Sequence, residues 1–399
     1  MFNNITFDIS GICNAKCPYC VTGLFNLNKL NINNTKNFFI KAENFEKAIN
    51  YLLINKIFDV EHGCIDLYNW GEPLLNPEFD NIVNILNYHK IKFNISTNAS
   101  KLPKLSSSTS MKNLLELRFS MSGFSQASYD KIHKFNFDLI RDNIIKITER
   151  FKQAGHTGTP IINYHIYQFN LTEYSQALNF AKKYNINIWP YFAYFNYYDH
   201  AKDYLNDSLE RDILKKASKD LMLFYVDGLL SKRPLNYKCP QFGMLTIDEN
   251  CNVLTCCVIP KGNPSYSIGN LFDLSLEKIY KLKTFQKECE NCQKLNIDYW
   301  MHNVKTCESL SSFIRIPEKL NELFQKNKQC EIAWIILSSV YYRRKDLQHV
   351  FPMSLSLDIR FYINLLLWAI GAVISYEDGD KPTLESYIDE YILMLKIIT

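Results

Sequence analysis

The segment DISGICNAKCPYC, Asp8 to Cys20, decides how the rest of the chain is read. It carries Cys13, Cys17 and Cys20 in the spacing Cys-x3-Cys-x2-Cys, with Pro18 and Tyr19 between the last two. A tetrahedral zinc site or an iron–sulfur cubane is normally closed by four thiolates. Three on a cubane leave one iron without a protein ligand, and an open coordination position binds a small molecule. An amino acid chelating through its amine and carboxylate suits such a position. An electron passed into a sulfonium held there would break a carbon–sulfur bond and release a carbon radical. A zinc knuckle completed by a distant cysteine is the competing reading of the same spacing.

Around this segment the chain alternates strand and helix. NITFDIS (Asn4–Ser10) has the apolar–polar alternation of a half-buried strand, so the cysteines follow a first strand directly. Ala42–Lys56 places Phe45, Ile49, Leu52 and Leu53 at helical spacing. Cys64–Trp70 reads as strand, and the next helix is expected to open with Asn76 as N-cap and Pro77 in the first turn. KFNISTN and ELRFSMSG read as strands with a short helical stretch between them, and one long helix is expected over residues 126–152. IINYHIYQFN, a helix, and INIWPYFAY complete a series of six β-α units within residues 1–195. Such repetition predicts an α/β fold with a mainly parallel sheet, whose active sites lie at the strand C-terminal ends.

The 399 residues suffice for two or three domains, and 47% hydrophobic content marks a globular chain. With 45 basic and 41 acidic residues the net charge is +4, too small a bias to argue for nucleic acid or an anionic membrane. Ten of the twelve cysteines fall in two groups. MFNNITFDIS has neither the basic start nor the apolar core of a signal peptide, so a cytoplasmic location with reduced thiols is expected. Clustered cysteines there read as metal ligands rather than disulfides.

The opening triplet, with an aromatic residue (Tyr19) before its last cysteine, resembles the signature of the radical S-adenosylmethionine (SAM) superfamily. NWGEP resembles the family's Gly-Gly-Glu-Pro motif: Gly71, Glu72 and Pro73 match, and Trp70 replaces the first glycine. ISTNAS is similar to the third-strand end, with Thr97 and Asn98 matching and Ala99 in place of glycine. RFSMSGFSQASYDKIHK is similar to the fourth-strand segment through Ser120, Gly123, Tyr129 and Ile132, with Ser122 in place of Asp and His133 in place of Arg. The resemblance implies a partial (β/α)6 radical SAM barrel. It implies Cys13, Cys17 and Cys20 as ligands of a [4Fe–4S] cluster, and Tyr19, Gly71, Glu72, Pro73, Thr97, Asn98, Ser120 and His133 as contacts to S-adenosyl-L-methionine, with Glu72 on the methionyl amine.

A second cysteine group begins at Cys239. MLTID and NVLTCC read as a β-hairpin about an EN turn, followed by a Gly-Asn turn, a helix over residues 276–285, and Cys289-x2-Cys292. Four thiolates converging on such a unit close a cubane or a zinc site. The block resembles the twitch form of the SPASM domain, which implies one auxiliary [4Fe–4S] cluster held by Cys239, Cys256, Cys289 and Cys292. Cys257 competes with Cys256 for its place; Cys251 and Cys307 are spare, and Cys64 and Cys330 read as small apolar residues.

The expected organisation is a barrel over 1–195, a bridge over 196–238, an iron–sulfur domain over 239–307 and a helical C-terminal region over 308–399. Phe361–Tyr376 is apolar over sixteen residues, short of a membrane span, and reads as a buried or dimer-forming helix. The function implied is cleavage of S-adenosyl-L-methionine to a 5′-deoxyadenosyl radical. That radical would take a hydrogen from a small sugar- or nucleotide-like substrate for its oxidation or rearrangement, with an external flavodoxin- or ferredoxin-type reductant. Modification of a peptide side chain is the rival enzyme reading, and a non-catalytic metal-bearing scaffold the rival of another class. His165 and Tyr164 are placed at a strand where a base could act.

Overall fold

The structure, a computed structural model, describes residues 1–28, 38–206, 208–221, 233–259, 266–284 and 286–303. Its strands are β1 (Asn4–Phe7), β2 (Cys64–Asp66), β3 (Lys92–Thr97), β4 (Leu114–Met121), β5 (Ile161–Ile166), β6 (Asn187–Phe192), β7 (Met244–Ile247), β8 (Asn252–Leu254) and β9 (Ser267–Asn270). All nine form one sheet in the order β6-β5-β4-β3-β2-β1-β7-β8-β9. From β1 to β6 every pairing is parallel and joins sequence neighbours. Such a sheet is singly wound: right-handed crossovers without a reversal of order put the connecting helices on one face.

Apolar periodicity explains those helices. Ala42–Ile54 buries Phe45, Ala48, Ile49 and Leu52, one side of the helix, and leaves Ile54 exposed beyond it. Phe137–Gln153 buries Phe137, Ile140, Ile144, Ile147 and Phe151 in the same manner. The strand interiors supply the other half of the core through Ile5, Phe7, Ile65, Phe93, Ile95, Leu117 and Phe119.

Several expected boundaries move. The helix after β2 is Phe79–Tyr88, preceded by a 3-10 turn at Pro73–Leu75. Asn76 does make the capping bond, its side-chain oxygen accepting from Glu78 N at 2.8 Å, while its amide donates to Ile9 O (2.8 Å) and Ile40 O (3.1 Å), tying the end of the first strand region to the next segment. The expected long helix over 126–152 is two, Gln126–Lys131 and Phe137–Gln153. Lys134 between them takes a positive φ of 64° and Asn136 caps the second, its side chain accepting from Leu139 N at 2.9 Å. No helix joins β3 to β4; Asp80 instead holds that connection by accepting from Ser106 N (3.2 Å) and the Thr109 hydroxyl. Gly269 and Asn270, expected as a turn, belong to β9.

The bridge contains helices Tyr198–Leu205 and Arg211–Asp220. The hairpin of β7 and β8 is antiparallel as expected, and β9 adds to it. It is not cut off from the parallel strands: β7 pairs in parallel with β1 from Asn4↔Met244 to Phe7↔Ile247. Among the described residues no helix is long and apolar enough to cross a membrane. The expectations for Cys307, Cys330 and the helical region 308–399 lie outside the described residues.

Candidate active site and a second cysteine set

The cysteine loop leaves the C-terminal end of β1 and is knit to the loop after β2 by hydrogen bonds onto backbone atoms. Asp8 accepts from Trp70 N (2.9 Å) and Gly71 N (3.2 Å), and Glu72 N donates to Ile12 O (2.8 Å). Thr22 closes the other side, its hydroxyl donating to Trp70 O at 2.9 Å. The approach is so close that a Cβ on Gly71 would lie 1.6 Å from Ser10 O, which makes glycine obligatory there. Within the loop, the Asn26 amide donates to Cys13 O (2.7 Å) and Ala15 O (2.6 Å).

One cavity of about 200 Å³ opens over this junction. Its walls include Cys13, Cys17, Tyr19 and Cys20 from the first loop and Gly71 and Glu72 from the second. Thr97 and Asn98 arrive from the end of β3, Ser120 from β4, and His133 from the turn after the Gln126–Lys131 helix. Of the residues expected at the cofactor only Pro73 stands back, buried in the 3-10 turn.

The three thiols act on one another: Cys20 and Cys13 both push the Cys17 pKa up, after burial. Burial, with a smaller push from Glu72, takes Cys13 up to about 12. Cys13 Sγ accepts from Ala15 N (3.4 Å) and the Asn98 amide (3.5 Å), contacts that suit a thiolate. Protonated thiols are thus favoured until a metal centre supplies positive charge. Among the described residues no three His, Cys, Asp or Glu side chains close on a single metal ion. A cubane spreads its thiolate ligands wider than a single ion does, and the mutual influence of these three thiols fits that wider arrangement.

Glu72 is buried, and burial raises its pKa to about 7. One carboxylate oxygen accepts from the Thr97 hydroxyl (2.7 Å) and Leu74 N (3.1 Å), the other from Asn98 N (2.7 Å). Two oxygens offer roughly four lone-pair directions, so one remains for a cation in the cavity beside Cys13. Tyr19 donates its hydroxyl to Asp220 (2.6 Å), tying the cysteine loop to the Arg211–Asp220 helix. His133 is buried, its Nδ1 has no partner, and burial lowers its pKa to about 4, so it sits at the cavity as a neutral imidazole.

The sequence reading missed Tyr68, Ser96, Tyr167, Tyr191, Tyr194 and Asn196 on the cavity wall. Their shared signal was position, since Tyr68, Ser96, Tyr167 and Tyr191 lie at the C-terminal ends of strands. His165 lines the cavity and meets the Tyr191 hydroxyl at 2.5 Å through Nε2. Tyr164, the other residue marked at that strand, is buried in the core with its hydroxyl on Asn170 O (3.1 Å).

The second cysteines gather away from this cavity. Cys239 caps the turn before β7, Cys256 follows β8, and Cys289 and Cys292 lie on helix Lys287–Lys294. Burial raises the pKa of Cys239, Cys289 and Cys292, with Cys256 pushing each of them up further, and Cys239 and Cys289 in turn act on Cys292. Cys257 is held by its backbone: its N–H donates to Gln241 (3.2 Å), and its carbonyl accepts from Asn69 at 3.1 Å with that amide turned. Cys251 takes a positive φ of 62° in the hairpin turn and is influenced by Asp248 and Glu249, not by the cysteine set. Cys64 likewise sits among Asp66, Glu116 and Arg118. Four mutually interacting thiols are a donor set that fits a fully ligated cluster.

No family model matches the sequence, and no curated protein matches it. Solved structures do align. Streptococcus suis SuiB bound to precursor peptide SuiA aligns at 16% identity and TM-score 0.46, over 70% of this chain and 64% of that one. Native anSMEcpe with bound AdoMet aligns at 16% identity and TM-score 0.48, over 74% and 88%. BtrN in complex with AdoMet and 2-DOIA aligns at 15% identity and TM-score 0.38, over 77% and 93%.

Proposed function

We propose that this chain is a radical S-adenosylmethionine enzyme. The observation that carries the reading is one cavity walled by three interacting thiols on one side and by the Gly71–Glu72, Thr97–Asn98 and Ser120 strand ends on the others. Cys13, Cys17 and Cys20 would hold a [4Fe–4S] cluster, which when bound supplies the electron that splits S-adenosyl-L-methionine into methionine and a 5′-deoxyadenosyl radical. Glu72 offers its remaining lone pair to the methionyl ammonium. Burial of Glu72 makes that ammonium a welcome counter-charge, because an ionised buried carboxylate is costly alone. Gly71 lets the loop press onto Ser10, which fixes the distance between Glu72 and the cysteine loop.

The substrate we infer is a small, hydroxyl-rich molecule of sugar- or nucleotide-like type. Tyr68, Tyr191, Tyr194, Asn196 and His165 line the cavity and carry hydroxyl, amide and imidazole groups, the donor and acceptor types that recognise hydroxyls. Net oxidation is the reaction type favoured, with Cys239, Cys256, Cys289 and Cys292 holding an auxiliary cluster that takes one electron from the substrate radical. An external one-electron reductant completes the cycle.

Anaerobic reconstitution with iron and sulfide, followed by dithionite and S-adenosyl-L-methionine, tests this. Release of 5′-deoxyadenosine by the intact chain, and none by a Cys13/Cys17/Cys20→Ala variant, is the expected result. Zinc in place of iron, or no 5′-deoxyadenosine from the intact chain, would sink the reading.

A further inference from the structure

Lys283, in the last turn of helix Leu276–Thr284, is 2% exposed. Its ammonium donates to Thr255 O at 2.8 Å, the carbonyl directly preceding Cys256. The ionisable groups that act on it are thiols, in the order Cys256, Cys289, Cys257 and Cys239. Among the described residues no carboxylate forms an ion pair with it. A buried ammonium with one carbonyl partner carries a desolvation cost of several kcal/mol unless an anion accompanies it. Lysine is almost never buried to this degree without such a partner. What surrounds this one is a set of thiols, which become a concentrated negative charge once ionised on a metal centre.

We propose that Lys283 is the counter-cation of the auxiliary cluster and sets its reduction potential. The inference rests on the proposed second cluster and deepens it. A cluster held by four thiolates is anionic and becomes one charge more negative on taking up an electron. A fixed cation at low dielectric therefore stabilises the reduced form more than the oxidised form, which raises the potential. The electron gained is the one the substrate radical loses as it is oxidised, so a raised potential favours that transfer. Positioning, not contact with the reacting atoms, is the role assigned to the lysine.

The test uses the full chain carrying Cys13/Cys17/Cys20→Ala, so that only the second cluster remains, with iron counting and a redox titration followed by electron paramagnetic resonance. Lys283→Gln is expected to keep about four irons and to lower the potential. At fixed potential the reduced-to-oxidised ratio should fall at least tenfold, which is about 59 mV for one electron. Lys283→Arg, which keeps the charge, should stay near the parent. Loss of iron from the Gln variant but not from the Arg variant would also support the counter-charge role. An unchanged potential in the Gln variant overturns the proposal while leaving the second cluster standing. Equal changes in Gln and Arg overturn it in favour of a packing role. No iron in the parent overturns both this inference and the auxiliary cluster.

Discussion

The two cysteine sets differ in number, in setting and in the company they keep. Cys13, Cys17 and Cys20 stand on a loop at the end of β1, against a cavity lined by aromatic and polar side chains. Cys239, Cys256, Cys289 and Cys292 come from a hairpin and a short helix, none of them lines that cavity, and a buried lysine sits beside them. On the proposed reading, three thiols leave a coordination position to be filled from solution, and a binding pocket stands around them. Four thiols would need no outside ligand, and a buried charge is packed against them instead. Thiol count and surroundings vary together, and the proposal assigns the first set to chemistry and the second to electrons.

The largest expected effect breaks the pairing from either side. Cys17→Ala should abolish 5′-deoxyadenosine release, with iron falling from about eight to about four per chain. Cys256→Ala should cost the same amount of iron and leave the release in place. Iron assay and chromatography on the same samples check both. If Cys256→Ala abolished the release, the division of labour would be wrong.

Gly71→Ala comes next. Its Cβ would meet the carbonyl of Ser10 at 1.6 Å, a backbone atom with nowhere to go, while the Asp8 carboxylate holds the loop in place. We expect a loss of about 3 kcal/mol, seen as a lower denaturant midpoint, together with loss of S-adenosyl-L-methionine binding. A variant of wild-type stability would mean that the two loops are free to part.

Glu72 gives the first set a pH signature of its own. Its ordinary value is 4.5 and burial raises it to about 7 in the metal-free protein, so the folded state holds the proton more tightly than the unfolded state. The stability this contributes is full below pH 4.5 and is lost as pH rises through about 7. Unfolding of Glu72→Gln should not share that loss, so the difference between wild type and variant should change by up to about 3 kcal/mol across the window. Added S-adenosyl-L-methionine on the reconstituted protein should shrink the change, because the ammonium favours the ionised carboxylate. Parallel stability curves for the two proteins would show that Glu72 does not titrate there.

How far the sequence could be read follows from the range of the forces involved. The strands and the triplet were legible because alternation and cysteine spacing are local. The same is true of the Phe45, Ile49 and Leu52 face of the first long helix. The capping role of Asn76 was legible because its bond to Glu78 N is local, whereas the helix start at Phe79 and the amide's long-range bonds onto Ile9 and Ile40 were not. The single helix over 126–152 failed where His133 turns into the cavity and Lys134 and Asn136 break the run. Lys283 was invisible because nothing in LEKIYKLKT distinguishes a buried lysine from its exposed neighbours; only the folded position of Thr255 does so.

The smallest expected effect sharpens the boundary of the second set. Cys251 and Cys257 lie within six residues of Cys256 in sequence, and composition alone ranks them equally. Their surroundings do not: Cys251 occupies the left-handed hairpin turn beside Asp248, and Cys257 is pinned through its backbone to Gln241 and Asn69. Cys251→Ala keeps a Cβ in the same strained turn and removes only a buried sulfur, so we expect unchanged iron and a stability change of about 1 kcal/mol. Cys257→Ala should likewise retain full iron, since its bonds to Gln241 and Asn69 are made by backbone atoms that alanine also has. Loss of iron in Cys257→Ala with retention in Cys256→Ala would exchange the two ligands and move the cluster toward Asn69, and so toward the cavity. That single exchange would erase much of the separation between the two sites, which is why an experiment expected to show nothing is worth doing.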